Sequence, residues 1–220
     1  MSQAQDVKMA DSRDMVGAHD MFRLHYGKLP ALVRGVAPGD VERAGVVTGH
    51  IELLAALLHG HHGSEDDHVW PLLHERCLEE VQPLVSTMEA QHDQLDVGLQ
   101  ELVAGARSWA VSAGEAERDA LAAVADRVDA ALREHLELEE NQVLRLIDTY
   151  LTDAEWKATV AAASGKLTPE SGALAIGMML DQADAPMQEI IREGVPEEFW
   201  REVRPAAVAA YQDYAKRVYG

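Results

Sequence analysis

Residues 46–66 read VVTGHIELLAALLHGHHGSED. Val47, Ile51, Leu54, Ala55 and Leu58 recur at the three- and four-residue spacing that gathers side chains onto one face of an α-helix. A strand would alternate with period two, and this run does not. The same face continues to His62 and, one turn on, to Asp66. An apolar stripe that runs into an imidazole and a carboxylate carries polar groups into the core, where each must be paired or bound to a cation.

Working outward, the chain divides into further long helical segments. Asp11 or Ser12 is placed to cap a helix that runs to about Val33, and Gly35, Pro38 and Gly39 end it. The quoted helix starts near Asp40 and is kinked or broken at Trp70-Pro71, with a short continuation through Glu80. A third helix begins near Pro83 and reaches Trp109, and Ser112 to Gly114 form the turn after it. A fourth occupies Glu115 to about Tyr150. Four such helices on short connections predict an all-α fold, an up-down-up-down four-helix bundle over residues 11–150. Residues 1–10 read as a flexible tail. In residues 151–220, Thr152-Asp153-Ala154-Glu155 is a capping box and Thr168-Pro169-Glu170 a second helix start. Several short helices packed on the bundle are expected there.

Composition narrows the function. The 220 residues carry 19 basic and 38 acidic side chains, a formal charge of −19. Such a chain repels phosphate backbones and anionic headgroups, which argues against nucleic acid and membrane partners. The first fourteen residues are polar, with no apolar core of a signal segment, and a cytoplasmic location is expected. The single cysteine, Cys77, excludes an internal disulfide and a thiolate cluster.

The histidines repeat. His19 and His92 are 73 residues apart, as are His62 and His135, and Asp66 and Glu139. On this register each half carries one histidine on its first helix and a His-x-x-x-carboxylate on its second. Residues four apart share a helix face, so the imidazole and carboxylate reach one ion or two adjacent ones. Helix phase puts Asp66 and Glu139 about 40° from their histidines, and Glu65 about 60° away on the other side of His62. Glu140 and Asp67 stand about 140° from theirs, turned away from a shared ion. The candidate ligands are His19, His62, Asp66, His92, His135 and Glu139, with His59 and Glu65 as further candidates. Histidine combined with carboxylate suits iron, manganese or zinc; an all-oxygen set would suit calcium or magnesium. Tyr26, two turns after His19, is placed to hydrogen-bond a bound ligand or a ligand carboxylate. Arg23 and Asp96 also obey the 73-residue shift, and an ion pair near the site is expected. His25, His50, His61, His68 and His74 fall off the ligand face or outside the repeat.

His19, the run His61-His62-Gly63-Ser64-Glu65-Asp66 before Val69-Trp70-Pro71, His92, and His135-Leu136-Glu137-Leu138-Glu139-Glu140 together resemble the haemerythrin or HHE cation-binding domain. The resemblance covers about residues 12–150. It implies a four-helix bundle with a non-haem, carboxylate-bridged pair of iron ions, held here by the six residues above. The sequence departs from the family at Asp96, where haemerythrins proper carry a second histidine four residues after the first. The resemblance implies binding or turnover of O2, NO or peroxide, which includes redox activity on peroxide or nitric oxide and calls for a reductant of unknown identity. An iron-binding or iron- and oxygen-sensing module without turnover is the alternative, and a helical protein with an adventitious zinc is a third.

Overall fold

The computed structural model describes residues 7–77, 79–193 and 197–220, and among these the chain is all-helical. In order the helices are α1 (Arg13–Arg34), α2 (Val41–His68), α3 (Trp70–Arg76), α4 (Gln82–Ser112), α5 (Glu115–Leu138) and α6 (Leu144–Tyr150), followed by α7 (Asp153–Gly165), α8 (Pro169–Gln182), α9 (Ala185–Glu193) and α10 (Glu197–Tyr219). A five-residue π turn, Glu139–Val143, joins α5 to α6. The fourth predicted helix therefore does run to Tyr150, with one widened turn inside it. Among the described residues no helix is long and apolar enough to cross a membrane.

Local chemistry sets the helix ends. The Asp40 carboxylate accepts from the Arg43 N–H at 3.0 Å, and Thr152 and Glu155 form the reciprocal capping box. Ser12 behaves differently from expectation: it stands at the start of α1 but makes no side-chain cap. Its N–H donates to Asp148 at 2.8 Å and its hydroxyl to the Leu144 carbonyl, tying α1 to α6. Residues 8–10, read from sequence as part of a tail, are likewise bonded. Ala10 N–H donates to Leu151 O at 3.0 Å, and Asp153 N–H to Lys8 O at 2.9 Å. The rest of that tail, residues 1–6, lies outside the described residues.

α1 packs on α5, α5 on α4, α4 on α2 and α2 on α1, a closed ring of four long helices. Two apolar clusters fill it. One includes Phe22, Leu54, Leu58, Leu95 and Leu132; the other includes Met15, Val69, Trp70, Met88 and Val143. Along each long helix the histidines and carboxylates fall between the two: Met15, His19, Phe22 on α1; Met88, His92, Leu95 on α4. The polar residues thus form one layer, closed on both sides by hydrocarbon.

The carboxy-terminal helices lie outside the ring. α7 packs on α2, α9 on α1, and α8 pairs with α10. Gly177 lets α8 and α10 cross closely, since a Cβ there would stand 2.4 Å from the Ala207 carbonyl oxygen. α10 is pinned to the bundle by a polar chain. Tyr219 Oη lies 2.5 Å from His25 Nδ1 and 2.9 Å from His50 Nε2, and His50 Nδ1 lies 3.0 Å from Tyr214 Oη. These two histidines, expected at the surface or around the site, are 0% and 1% exposed.

Both rings of that chain are held neutral. Burial, with the Lys28 charge nearby, lowers His25 to about 4; burial, with His25 and Lys28, lowers His50 to about 3. The unfolded chain then binds protons that the docked chain does not, so stability rises with pH across this window and is lost as pH falls from about 6.5 towards 4. Hydrogen exchange should show α10 amides losing protection by about tenfold per pH unit per histidine below pH 6.5, ahead of α4. Protection of α10 that is unchanged between pH 7 and pH 4.5 would contradict this dock.

Candidate metal centre

Two groups of side chains meet in the polar layer. His62, His92 and His135 form one; His19, His61, Glu65 and Glu139 form the other, with one ligand atom from each residue lying within 4.8 Å of the rest of its group. The glutamates join the groups. Glu65 Oε1 is 3.2 Å from His61 Nε2 while its Oε2 is 3.4 Å from His92 Nε2. Glu139 Oε2 is 3.4 Å from His19 Nε2 and 3.6 Å from His135 Nε2.

The groups do not satisfy one another. Both oxygens of Glu65 and of Glu139, both nitrogens of His62, and Nε2 of His92 and His135 are buried with no hydrogen-bond partner. These are eight of the twelve such atoms among the described residues. Buried polar atoms are nearly always paired in native proteins, so this concentration needs a partner of another kind. His19 Nε2 and His61 Nε2 also face each other at 3.3 Å. Two lone pairs at that distance repel unless a proton or a cation stands between them.

Tautomers can be assigned from the surroundings. His19 Nδ1 is 2.8 Å from Glu140 Oε1. Burial raises the Glu140 carboxyl, but hydrogen bonds from His19 and Arg23 outweigh it and hold the group at about 2. An ionised carboxylate only accepts, so His19 Nδ1 carries the proton and Nε2 presents its lone pair to the cluster. His92 Nδ1 donates in the same way to Asp66 Oδ1 at 2.7 Å, and that oxygen also accepts from Trp70 Nε1 at 2.9 Å. His135 Nδ1 is clamped by the Gln91 side-chain oxygen at 3.1 Å.

Burial, reinforced by neighbouring imidazoles, lowers His61 and His62 well below their ordinary value, and lowers His135 to about 3. The rings are therefore neutral at physiological pH, the state in which imidazole binds a metal. Burial, with Glu139 and Asp66 nearby, pushes Glu65 well above the carboxylate range, and burial also raises Glu139. Two carboxyls so disfavoured as anions gain most from a cation placed between them. The donor set fits a metal.

The structure brings His19, His62, His92, His135 and Glu139 together, and Glu65 with them. Asp66 lies outside both groups: its side chain is 46% exposed and its contact is with the far nitrogen of His92. His59 is 70% exposed and pairs with Asp96 at 3.1 Å. Arg23 does form a half-buried ion pair, with Glu140 at 2.8 Å rather than with Asp96. Glu140, expected to turn away, clamps His19. The Tyr26 hydroxyl is fully buried and has no hydrogen-bond partner among the described residues, so it touches no ligand carboxylate.

His61 is the member that the 73-residue register passed over. On α2, taking His61 as zero, Glu65 stands at about 40°, His62 at about 100° and Asp66 at about 140°. Glu65 therefore projects between the two histidines and Asp66 beyond them. A shift of 74 residues pairs His61 with His135, Glu65 with Glu139 and Asp66 with Glu140. It also superimposes the buried Val47, Ile51, Leu54 and Leu58 on Leu121, Ala125, Val128 and Leu132, whereas 73 would set Leu54 against Arg127. The signal was in the apolar residues around the ligands.

No curated protein and no solved structure matches the chain. A family model does, that of the Hemerythrin HHE cation binding domain, over residues 11–147. With well over half of the sequence matched, and a His and Glu cluster that can hold a cation inside that span, the chain belongs to the hemerythrin HHE cation-binding domain family.

Proposed function

We propose that this protein is an up-down-up-down four-helix bundle that holds two iron ions and binds or turns over O2, NO or peroxide. The observation that carries the reading is the pair of buried glutamates, each facing both histidine groups and with no hydrogen-bond partner among the described residues. In this reading His19 and His61 would hold one ion, His62, His92 and His135 the other, and Glu65 and Glu139 would be shared between them. Seven ligands of mixed nitrogen and oxygen exceed what one four-coordinate zinc takes and suit two ions that prefer six-fold coordination.

Iron bound here would supply reversible electron transfer and an open position for a small ligand. The chain's residues determine where that position lies. One group offers three imidazoles and the other two, so an open position would fall beside His19 and His61. Phe22, whose ring centre is 5.3 Å from that of His61, walls this side with hydrocarbon and favours a small uncharged or peroxidic ligand. Glu140 and Asp66 orient His19 and His92 through Nδ1, and Arg23 holds Glu140 in place.

Ferrous reconstitution under anaerobic conditions should give close to two irons per chain, and Glu65→Ala or Glu139→Ala less than one. Recovery of a single zinc and no iron would overturn the reading. Mixing the reduced protein with O2, NO or peroxide should change its absorption spectrum, a change absent in Glu65→Ala.

The clamping carboxylates are expected to act differently. Asp66→Ala and Glu140→Ala should still take up two irons at saturation, with affinity weakened by about 10–100-fold. If Asp66→Ala abolishes iron uptake while Glu65→Ala retains it, the 73-residue register is the right one.

A further inference from the structure

We propose that the surface cleft between α1, α5 and the end of α8 is a binding site for a small oxyanion, a phosphate- or carboxylate-bearing molecule. The cleft has a volume of about 520 Å³ and is lined by Arg23, Lys28, Arg133, Asp20 and Gln182. Two of the three cations are paired, Arg23 with Asp20 and Glu140 and Arg133 with Asp129, while the Lys28 ammonium lies over the Tyr219 ring and has no carboxylate partner among the described residues.

The cations are held in position while keeping donors to spare. Arg23 uses Nη1 for both of its carboxylate partners, Asp20 and Glu140. Arg133 places Nε on Asp129 at 2.9 Å and Nη2 on the Arg23 carbonyl oxygen at 3.1 Å. Among the described residues Nε and Nη2 of Arg23, Nη1 of Arg133 and the Lys28 ammonium make no hydrogen bond. Gln182 Nε2 is buried and also lacks an acceptor. Every one of these unmet groups is a donor, which is the complement of a ligand made of acceptor oxygens.

Gly27 supports the same reading. A Cβ there would lie 2.5 Å from Arg133 Nη2, so the guanidinium rests on the bare backbone of α1 and a larger residue would displace it. Ordering the forked side chain before a ligand arrives reduces the entropy lost on binding. Arg23 also ties the cleft to Glu140 and so, at one ion pair's remove, to His19.

The site does not depend on the metal assignment, and its test is separable from it. Calorimetric titration of the full chain, as purified and after chelation, with inorganic phosphate and with succinate should show one saturable site per chain for at least one of the two. Which of the two binds assigns the oxyanion class. Arg133→Ala and Lys28→Ala should each weaken that binding by about tenfold. Gly27→Ala, which displaces the guanidinium without removing it, should weaken it too, with melting temperature and helical signal reporting that the chain is folded. No saturable heat with either anion, or the same affinity in Arg133→Ala as in the unaltered chain, would overturn the proposal.

Discussion

Two glutamates and five imidazoles share one thin layer of the bundle, hydrocarbon closes it above and below, and eight of the buried polar atoms in it have no hydrogen-bond partner among the described residues. Each such atom costs on the order of 1–3 kcal/mol when buried unpaired, and more for a carboxylate that must lose its charge to stay there. Replacing the layer by leucines would remove that cost, so its presence demands a compensating ligand. The proposed pair of cations would supply it, accepting the imidazole lone pairs and neutralising the glutamates together. The free energy of metal binding is then also free energy of folding.

Other features serve to aim this layer. The carboxylates behind the ligands, Glu140 on α1's histidine and Asp66 on α4's, fix which ring nitrogen points inward. They cross between the halves, because Glu140 follows α5 and clamps His19 of α1, whereas Asp66 of α2 clamps His92 of α4. The backbone adjusts at the same places. The π turn begins at Glu139, and α2 stops at His68, two residues after Asp66 and just ahead of Pro71. Departures from regular helix of this kind concentrate where side chains must be directed to a ligand.

Much of this was legible in the sequence. Helical periodicity around Leu54 and Leu58, the Asp40 cap and the Thr152–Glu155 capping box locate the helices, because these are short-range effects written in neighbouring residues. Five of the six leading ligand candidates converge for the same reason: they lie on the apolar faces. The sixth, Asp66, did not, since adjacent histidines at 61 and 62 offer two registers one residue apart, and phase within a single helix cannot choose between them. The surrounding apolar residues decide, because the buried Val47, Ile51, Leu54 and Leu58 match buried apolar residues of α5 only at the shift of 74. The dock of α10 on His25 and His50 was hidden for a related reason. It joins residues about 170 and 190 positions apart, and no local pattern announces it.

The account stands most directly on where metal would lie. Anomalous diffraction at the iron edge from crystals of the iron-loaded protein tests it. The account predicts two peaks roughly 3.5–4 Å apart, one beside His19 and His61 and one beside His62, His92 and His135, with Glu65 and Glu139 spanning them. A single peak, or two peaks with Asp66 in the place of Glu65, would contradict it.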